Sequence, residues 1–191
     1  MSSNQKWQMW LVLLIPVAAV AASYWLLPRS DDQRDQLIAD MGTTNFGTWI
    51  QAEQGLADLP LAGLSAGPWQ DNGKWKLVIA DNGDCGEPCQ QALFITRQLH
   101  TLLAKRADRI ERLYLSPDQP IAEQQQRLKE QYPSVLTVHD GGSFSELLNN
   151  SNIPDQRDGF IYLADSKGKL VLYYPAGQNY KEIIKDLKVL L

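Results

Sequence analysis

Two cysteines and two histidines are the side chains here best suited to redox or soft-metal chemistry. Cys85 and Cys89 stand four positions apart in Cys85-Gly86-Glu87-Pro88-Cys89. Three intervening residues leave the two sulfurs close enough to pair across a turn or to share one ion. A thiolate at such a place attacks a disulfide, is oxidised with its neighbour, or binds a soft metal such as Cu(I). Two cysteines and two histidines are too few for a zinc finger or a cluster held by four cysteines. His100 follows Cys89 by eleven residues on one expected helix, about 16 Å along its axis, so the two cannot share an ion. His139 ends a strand candidate ahead of Asp140-Gly141-Gly142. A ligand role for it competes with that of an ordinary loop histidine.

The elements around the cysteines give the pair its meaning. Leu77-Val78-Ile79-Ala80 is a continuous apolar run that suits a strand buried on both faces, and Asp81-Asn82-Gly83-Asp84 breaks it. A helix is expected from about Pro88 to Lys105, with Ala92, Ile95, Leu99 and Leu102 as its core stripe and Pro88 in the first turn. Free N–H groups at the start of that helix favour a thiolate. Asp81, Asp84 and Glu87 oppose one, and no Lys, Arg or His lies beside the pair in sequence. The loop is Gly-rich and polar, which fits exposure better than burial. A fixed structural disulfide is the plainer alternative.

Further on, Ile110 to Leu115 and Val135 to Val138 read as strands. A polar surface helix runs from Pro120 to about Gln131 with Asp118 as its cap, and a short helix is expected at Phe144 to Leu148. Phe160 to Ala164 and Leu170 to Tyr174 form a hairpin about Asp165-Ser166-Lys167-Gly168. Asn179 opens a last helix with Tyr180, Ile183, Ile184, Leu187 and Leu190 on one face. Strand–helix–strand units give parallel strands and a tight hairpin gives antiparallel ones. The expectation is therefore an α/β fold, a thioredoxin-like mixed sheet flanked by helices.

Ahead of this domain, Trp7 to Leu27 carries no charge, and its 21 positions span roughly 31 Å as a helix. Trp7 and Trp10 at one end and Tyr24 and Trp25 at the other suit a membrane-spanning anchor. The apolar run continues past the small-residue site at Ala19-Val20-Ala21, which fits a cleaved signal peptide less well. The chain thus divides into a tail at 1–6, a transmembrane anchor at 7–27, a polar stalk at 28–45 and a domain at 46–191. The six-residue tail is expected to stay in the cytoplasm, which places the domain outside it. With 18 basic against 22 acidic residues and no basic cluster, nucleic acid is excluded as the main ligand. Phosphate-loop, dinucleotide and serine-hydrolase patterns are absent.

Over roughly residues 45–191 the sequence resembles the Sco/SenC family of copper-handling, thioredoxin-like proteins of cytochrome c oxidase assembly. Gly73-Lys74-Trp75, the apolar strand and Cys85 look like the family's lead-in to its CxxxC motif. Leu113-Tyr114-Leu115-Ser116-Pro117-Asp118 resembles its next strand and turn, and Phe160-Ile161-Tyr162-Leu163 with Asp165 and Gly168 its late hairpin. The resemblance implies Cys85 and Cys89 as redox thiols or Cu(I) ligands. It also implies an inner-membrane protein facing away from the cytoplasm, with a membrane-bound oxidase subunit or another envelope thiol or copper protein as partner. Two departures stand out. Gln90, not proline, follows the second cysteine. The family's third ligand is a histidine just before the late hairpin, where this chain reads Asp155-Gln156-Arg157-Asp158-Gly159. Two thiolates alone still suit Cu(I), whereas Cu(II) should bind poorly. The loss tilts the expectation from copper carriage towards thiol chemistry, with a thiol–disulfide oxidoreductase as the enzyme if it is one. A general envelope oxidoreductase and a non-catalytic binding module on the same scaffold are the alternatives.

Overall fold

The computed structural model describes residues 14–18, 45–63, 69, 71–81 and 84–191. Residues 14–18 are helical and exposed. The rest of the expected anchor and nearly all of the stalk lie outside the described residues. Among the described residues, no helix is long and apolar enough to cross a membrane.

From Asn45 to Leu191 the chain forms one compact unit. Its strands are β1 (Thr48–Trp49), β2 (Trp75–Ala80), β3 (Ile110–Ser116), β4 (Val135–His139), β5 (Ile161–Ala164) and β6 (Leu170–Tyr174). They form one mixed sheet in the order β1-β6-β5-β2-β3-β4. β2 pairs with β3, and β3 with β4, in parallel; β5 pairs antiparallel with both β2 and β6. The hairpin closes through Gly168, whose left-handed backbone (φ +91°) completes the turn after Asp165.

The apolar run of β2 is central because both of its faces are covered. On one face Leu77 and Ile79 join Tyr114, Ile161, Leu163 and Leu172 beneath three helices. These are α1 (Glu87–Leu103), α2 (Ala122–Gln131) and α4 (Tyr180–Leu190). On the other, Val78 meets Leu113, Leu115, Val138 and Tyr162 beneath α3 (Ser143–Asn149) and the segment around Leu56. Each fully buried Val, Leu or Ile of β2 contributes about 1.5–3 kcal/mol of transfer free energy, so the strand ending at the cysteine loop is firmly seated.

Three sequence expectations need correction. The core stripe of α1 runs through Cys89, Ala92, Leu93, Thr96, Leu99 and Leu103, whereas Leu102 is exposed. Helix α2 starts at Ala122 with Ile121 as its N-cap and no side-chain cap, so Asp118 does not cap it. Tyr180 of α4 is exposed, although Ile183, Ile184 and Leu187 are buried as expected. The Asn179 side chain does accept from the Lys181 N–H, as an N-cap should.

The last helix carries one acid into the core. Asp186 is 3% exposed. Its Oδ2 accepts the Phe46 and Gly47 N–H groups at 2.9 Å each and the Tyr174 hydroxyl at 3.2 Å. Burial, then the Asp186 carboxylate, pushes the Tyr174 phenol far up, so Tyr174 stays a donor. Asp186 thus fixes where the chain enters the domain, beside β1 and β6. At the far edge, Ala62 forms an isolated antiparallel bridge with His139 of β4.

Candidate functional site

The cysteine loop leaves the carboxyl end of β2 and runs straight into α1. Cys85 and Cys89 are joined as a disulfide with Cα atoms 5.1 Å apart. Asp84, Gly86, Glu87 and Pro88 are exposed, as expected of the loop, but the two cysteine side chains themselves are only 5% and 3% exposed. Cys89 sits on the buried stripe of α1, and Cys85 tucks in beneath the helix start.

Cys85 has a left-handed backbone (φ +42°), unusual for a residue with a side chain. Such a conformation costs on the order of 1 kcal/mol and persists only where the surroundings enforce it. Here two side chains do so. Its N–H donates to Asp81 Oδ2 at 2.7 Å, and its carbonyl accepts from Gln90 Nε2 at 3.0 Å. Gln90 also donates its own N–H to the Gly86 carbonyl, the first bond of α1. The residue that follows the second cysteine therefore carries a side chain that braces the first.

Asp81 is the pivot of a polar chain beneath the loop. Tyr114 donates its hydroxyl to Asp81 Oδ2 at 2.9 Å, and Gln124 Nε2 donates to the Tyr114 oxygen at 2.7 Å. Burial first, and the Asp81 charge second, push the Tyr114 phenol well up, so it remains protonated and donating. The sequence places Asp81 near the cysteines only as one more acid; its role as a brace depends on β3 and α2.

The stretch 155–159 reaches the cysteine loop. Gly159 (φ +73°) packs so tightly against Pro88 that a Cβ there would lie 2.7 Å from Pro88 Cβ and 2.8 Å from the Pro88 oxygen. Gly159→Ala therefore meets both a left-handed backbone and a clash with a rigid ring. It is expected to cost about 2 kcal/mol, read as a lower midpoint in thermal unfolding. An unchanged midpoint would show that the loop does not press on Pro88.

The histidines stay apart from the pair. His100 is in the last turn of α1; burial first and the Arg112 guanidinium second lower its pKa. His139 has its backbone bonded to Ala62 in both directions, at 2.8 and 2.9 Å. Among the described residues no three His, Cys, Asp or Glu side chains are grouped to hold a metal ion.

A cleft of about 170 Å³ opens at the carboxyl ends of β2 and β3. Asp81, Ser116, Asp140, Ser145, Arg157 and Tyr162 are among its walls. It shares Asp81 with the cysteine loop. Arg157 brings a cation to this cleft, which neither cysteine lines. No sequence signal could place it there, because the cleft is assembled from loops far apart in the chain.

Comparison with known proteins agrees with this architecture. A family model described as the transmembrane-like, thioredoxin-like, C-terminal domain matches residues 75–191. Yeast Sco1 with copper bound is similar in structure (TM-score 0.55, 15% identity, covering 78% of this chain and 94% of that one). So is Bradyrhizobium japonicum ScoI with copper bound (TM-score 0.50, 20% identity, covering 76% and 99%). A third is BsSco, a member of the Sco family of cytochrome c oxidase assembly proteins studied for a disulfide switch (TM-score 0.51, 17% identity, covering 73% and 95%). At these identities the likeness speaks for the fold. No curated protein matches the chain in sequence. From the first residue of β2 to its end, the chain belongs to the family of transmembrane-like, thioredoxin-like C-terminal domains.

Proposed function

We propose that this is a membrane-anchored, Sco-like protein that assists assembly of respiratory cytochrome c oxidase by reducing a disulfide in a partner through Cys85 and Cys89. The observation that carries the reading is the closed Cys85–Cys89 pair at the junction of β2 and α1, on the fold of the Sco structures. Residues 7–27 are its anchor, and the domain faces away from the cytoplasm, where disulfides form and persist. The partner is a membrane-bound oxidase subunit or another envelope thiol protein.

The reaction is thiol–disulfide exchange. With the pair reduced, one thiolate attacks a partner sulfur, and the partner's S–S bond breaks to leave a mixed disulfide and a free partner thiolate. The second cysteine attacks the mixed disulfide and restores the Cys85–Cys89 bond. The partner leaves as a dithiol, having gained two electrons and two protons. A dithiol donor in the same compartment must then reduce the pair again.

The structure's donor set does not fit a three-ligand copper site. Two sulfurs are present, and residues 155–159 bring no histidine to the loop they touch. No step here passes through copper. Cu(II) added to the reduced chain is expected to oxidise the pair, two Cu(II) becoming two Cu(I) as one disulfide forms, without a lasting thiolate–Cu(II) charge-transfer absorption. A stable absorption at one copper per chain would restore the carrier reading.

The test of the function is complementation of a deletion strain, read as oxidase activity in isolated membranes. The deletion is expected to lose that activity and the full-length chain to restore it. Undiminished oxidase in the deletion strain overturns the assignment to oxidase assembly.

A further inference from the structure

The cleft beside the cysteine loop has unequal polar demands. Its carboxylates are engaged or open to water. Asp81 accepts from Cys85 and Tyr114. Asp140, buried, accepts from the Gly142 N–H at 3.1 Å and from the Phe144 N–H. Asp155 and Asp158 are exposed at the rim, where water and salt screen them.

The donors are in the opposite state. Arg157 is held in place by bonds from Nη2 to Asn149 Oδ1 and from Nε to the Asp155 carbonyl at 3.4 Å. Its remaining nitrogen, Nη1, is shielded from bulk water and has no acceptor among the described residues. Tyr162 lines the same cleft and is 1% exposed; its hydroxyl has no hydrogen-bond partner among the described residues, but of the cleft's donors only Arg157 Nη1 is both unpaired and fully shielded. Burial pushes its phenol well up, with the nearby Arg157 charge pulling the other way, so the hydroxyl keeps its proton. A buried donor without an acceptor is unfavourable, and a charge-assisted bond is the strongest means of satisfying one. The missing group is an acceptor, small enough for about 170 Å³ and anionic to match a guanidinium.

The place of the cleft says where that group comes from. One wall, Asp81, holds Cys85, and the loop that carries Arg157 continues into Gly159 against Pro88. Neither cysteine lines the cleft, but whatever fills it is separated from Cys85 by one side chain, Asp81. We propose that the cleft is a subsite for an acidic side chain of the partner, an Asp or Glu near the disulfide that is reduced, held by Arg157 Nη1 and the Tyr162 hydroxyl. The proposal rests on the thiol-exchange reading and gives it a substrate class: disulfides flanked by an acid.

The experiment uses the full-length chain in detergent and two disulfide-bonded peptides that differ only in Asp against Asn beside one cysteine. The reduced chain is expected to reduce the Asp peptide about tenfold faster at low salt, as one hydrogen bond to a charged group allows. In Arg157→Gln the two rates should converge, and in Tyr162→Phe the ratio should fall part of the way. Equal rates with the wild-type chain, or a preference that survives Arg157→Gln, overturn the subsite. A second arm measures binding of the same peptides, their cysteines replaced by serine, to the oxidised chain. Weaker binding of the Asp peptide to Arg157→Gln, in a variant whose thermal midpoint is unchanged, supports the subsite even if neither peptide is reduced; that last result would count against thiol exchange alone. Succinate is the competitor. If it displaces the Asp peptide at equal concentration, the cleft takes free small anions and the assignment to a partner side chain is overturned.

Discussion

Full-length chain carrying Cys85→Ser with Cys89→Ser is expected to restore no oxidase activity to a deletion strain, while remaining folded in the membrane at a near-normal level. Thiol exchange needs both sulfurs: one to attack, and one to release the partner from the mixed disulfide. The single variants should therefore be inactive as well, but they differ in what they trap. A chain with one remaining cysteine stalls as a mixed disulfide, visible as a partner adduct on non-reducing gels. The fold should tolerate the double change. The disulfide closes a loop with a sequence separation of only four, for which the chain-entropy estimate is about 2 kcal/mol. The buried sheet and its helices do not depend on it. Full restoration of oxidase by the double variant would sink the redox mechanism and leave a binding module on a thioredoxin-like scaffold.

Asp186→Ala should be the most destabilising polar substitution in the domain. The carboxylate is buried and serves Phe46 N–H, Gly47 N–H and the Tyr174 hydroxyl at once. Removing it strands these donors and frees the segment that precedes β1. A loss of about 3 kcal/mol is expected, which for a domain of this size lowers the unfolding midpoint by about 9 °C. Asp186→Asn keeps one accepting oxygen and should lose roughly half as much. The comparison separates lost hydrogen bonds from lost packing, because both variants vacate little volume. Equal midpoints for the wild type and Asp186→Ala would show that Phe46 and Gly47 are not held by this side chain.

The residues differ in how far they announced their roles. The apolar run of β2, the hairpin about Asp165 to Gly168 and the amphipathic face of α4 are read directly from local pattern, because period and turn chemistry are local properties. Burial of Cys89 depends on the register of α1, which the expected stripe through Ile95 and Leu102 did not give. Cys89, Ala92, Leu93, Thr96, Leu99 and Leu103 follow helical spacing, so Cys89 belongs to the core face, although the polar loop before it suggests the reverse. Asp186 left a trace, an acid set into the apolar stripe of α4, but two of its three partners, Phe46 and Gly47, lie about 140 residues earlier in the chain. Arg157 left none. Its place depends on how the stretch before β5 folds back over the ends of β2 and β3, and tertiary packing alone decides that. For the same reason, the acids beside Cys85 mislead when counted in sequence: Asp81 is a brace tied to Tyr114, and a guanidinium lines the same cleft.

The two ends of the sheet bear on how the protein survives in crowded surroundings. An unpaired strand edge is a template on which another chain can add, and the route by which sheet proteins aggregate. Here one edge is β1, two residues long, and the other, β4, is closed at its last residue by Ala62. Among the described residues, the part of β4 left without a strand partner on its outer side is the short run that starts at Val135. Copies concentrated on a membrane surface would be poor seeds for one another while folded. Loss of the bridge at Ala62 would lengthen that open edge to the last residue of β4.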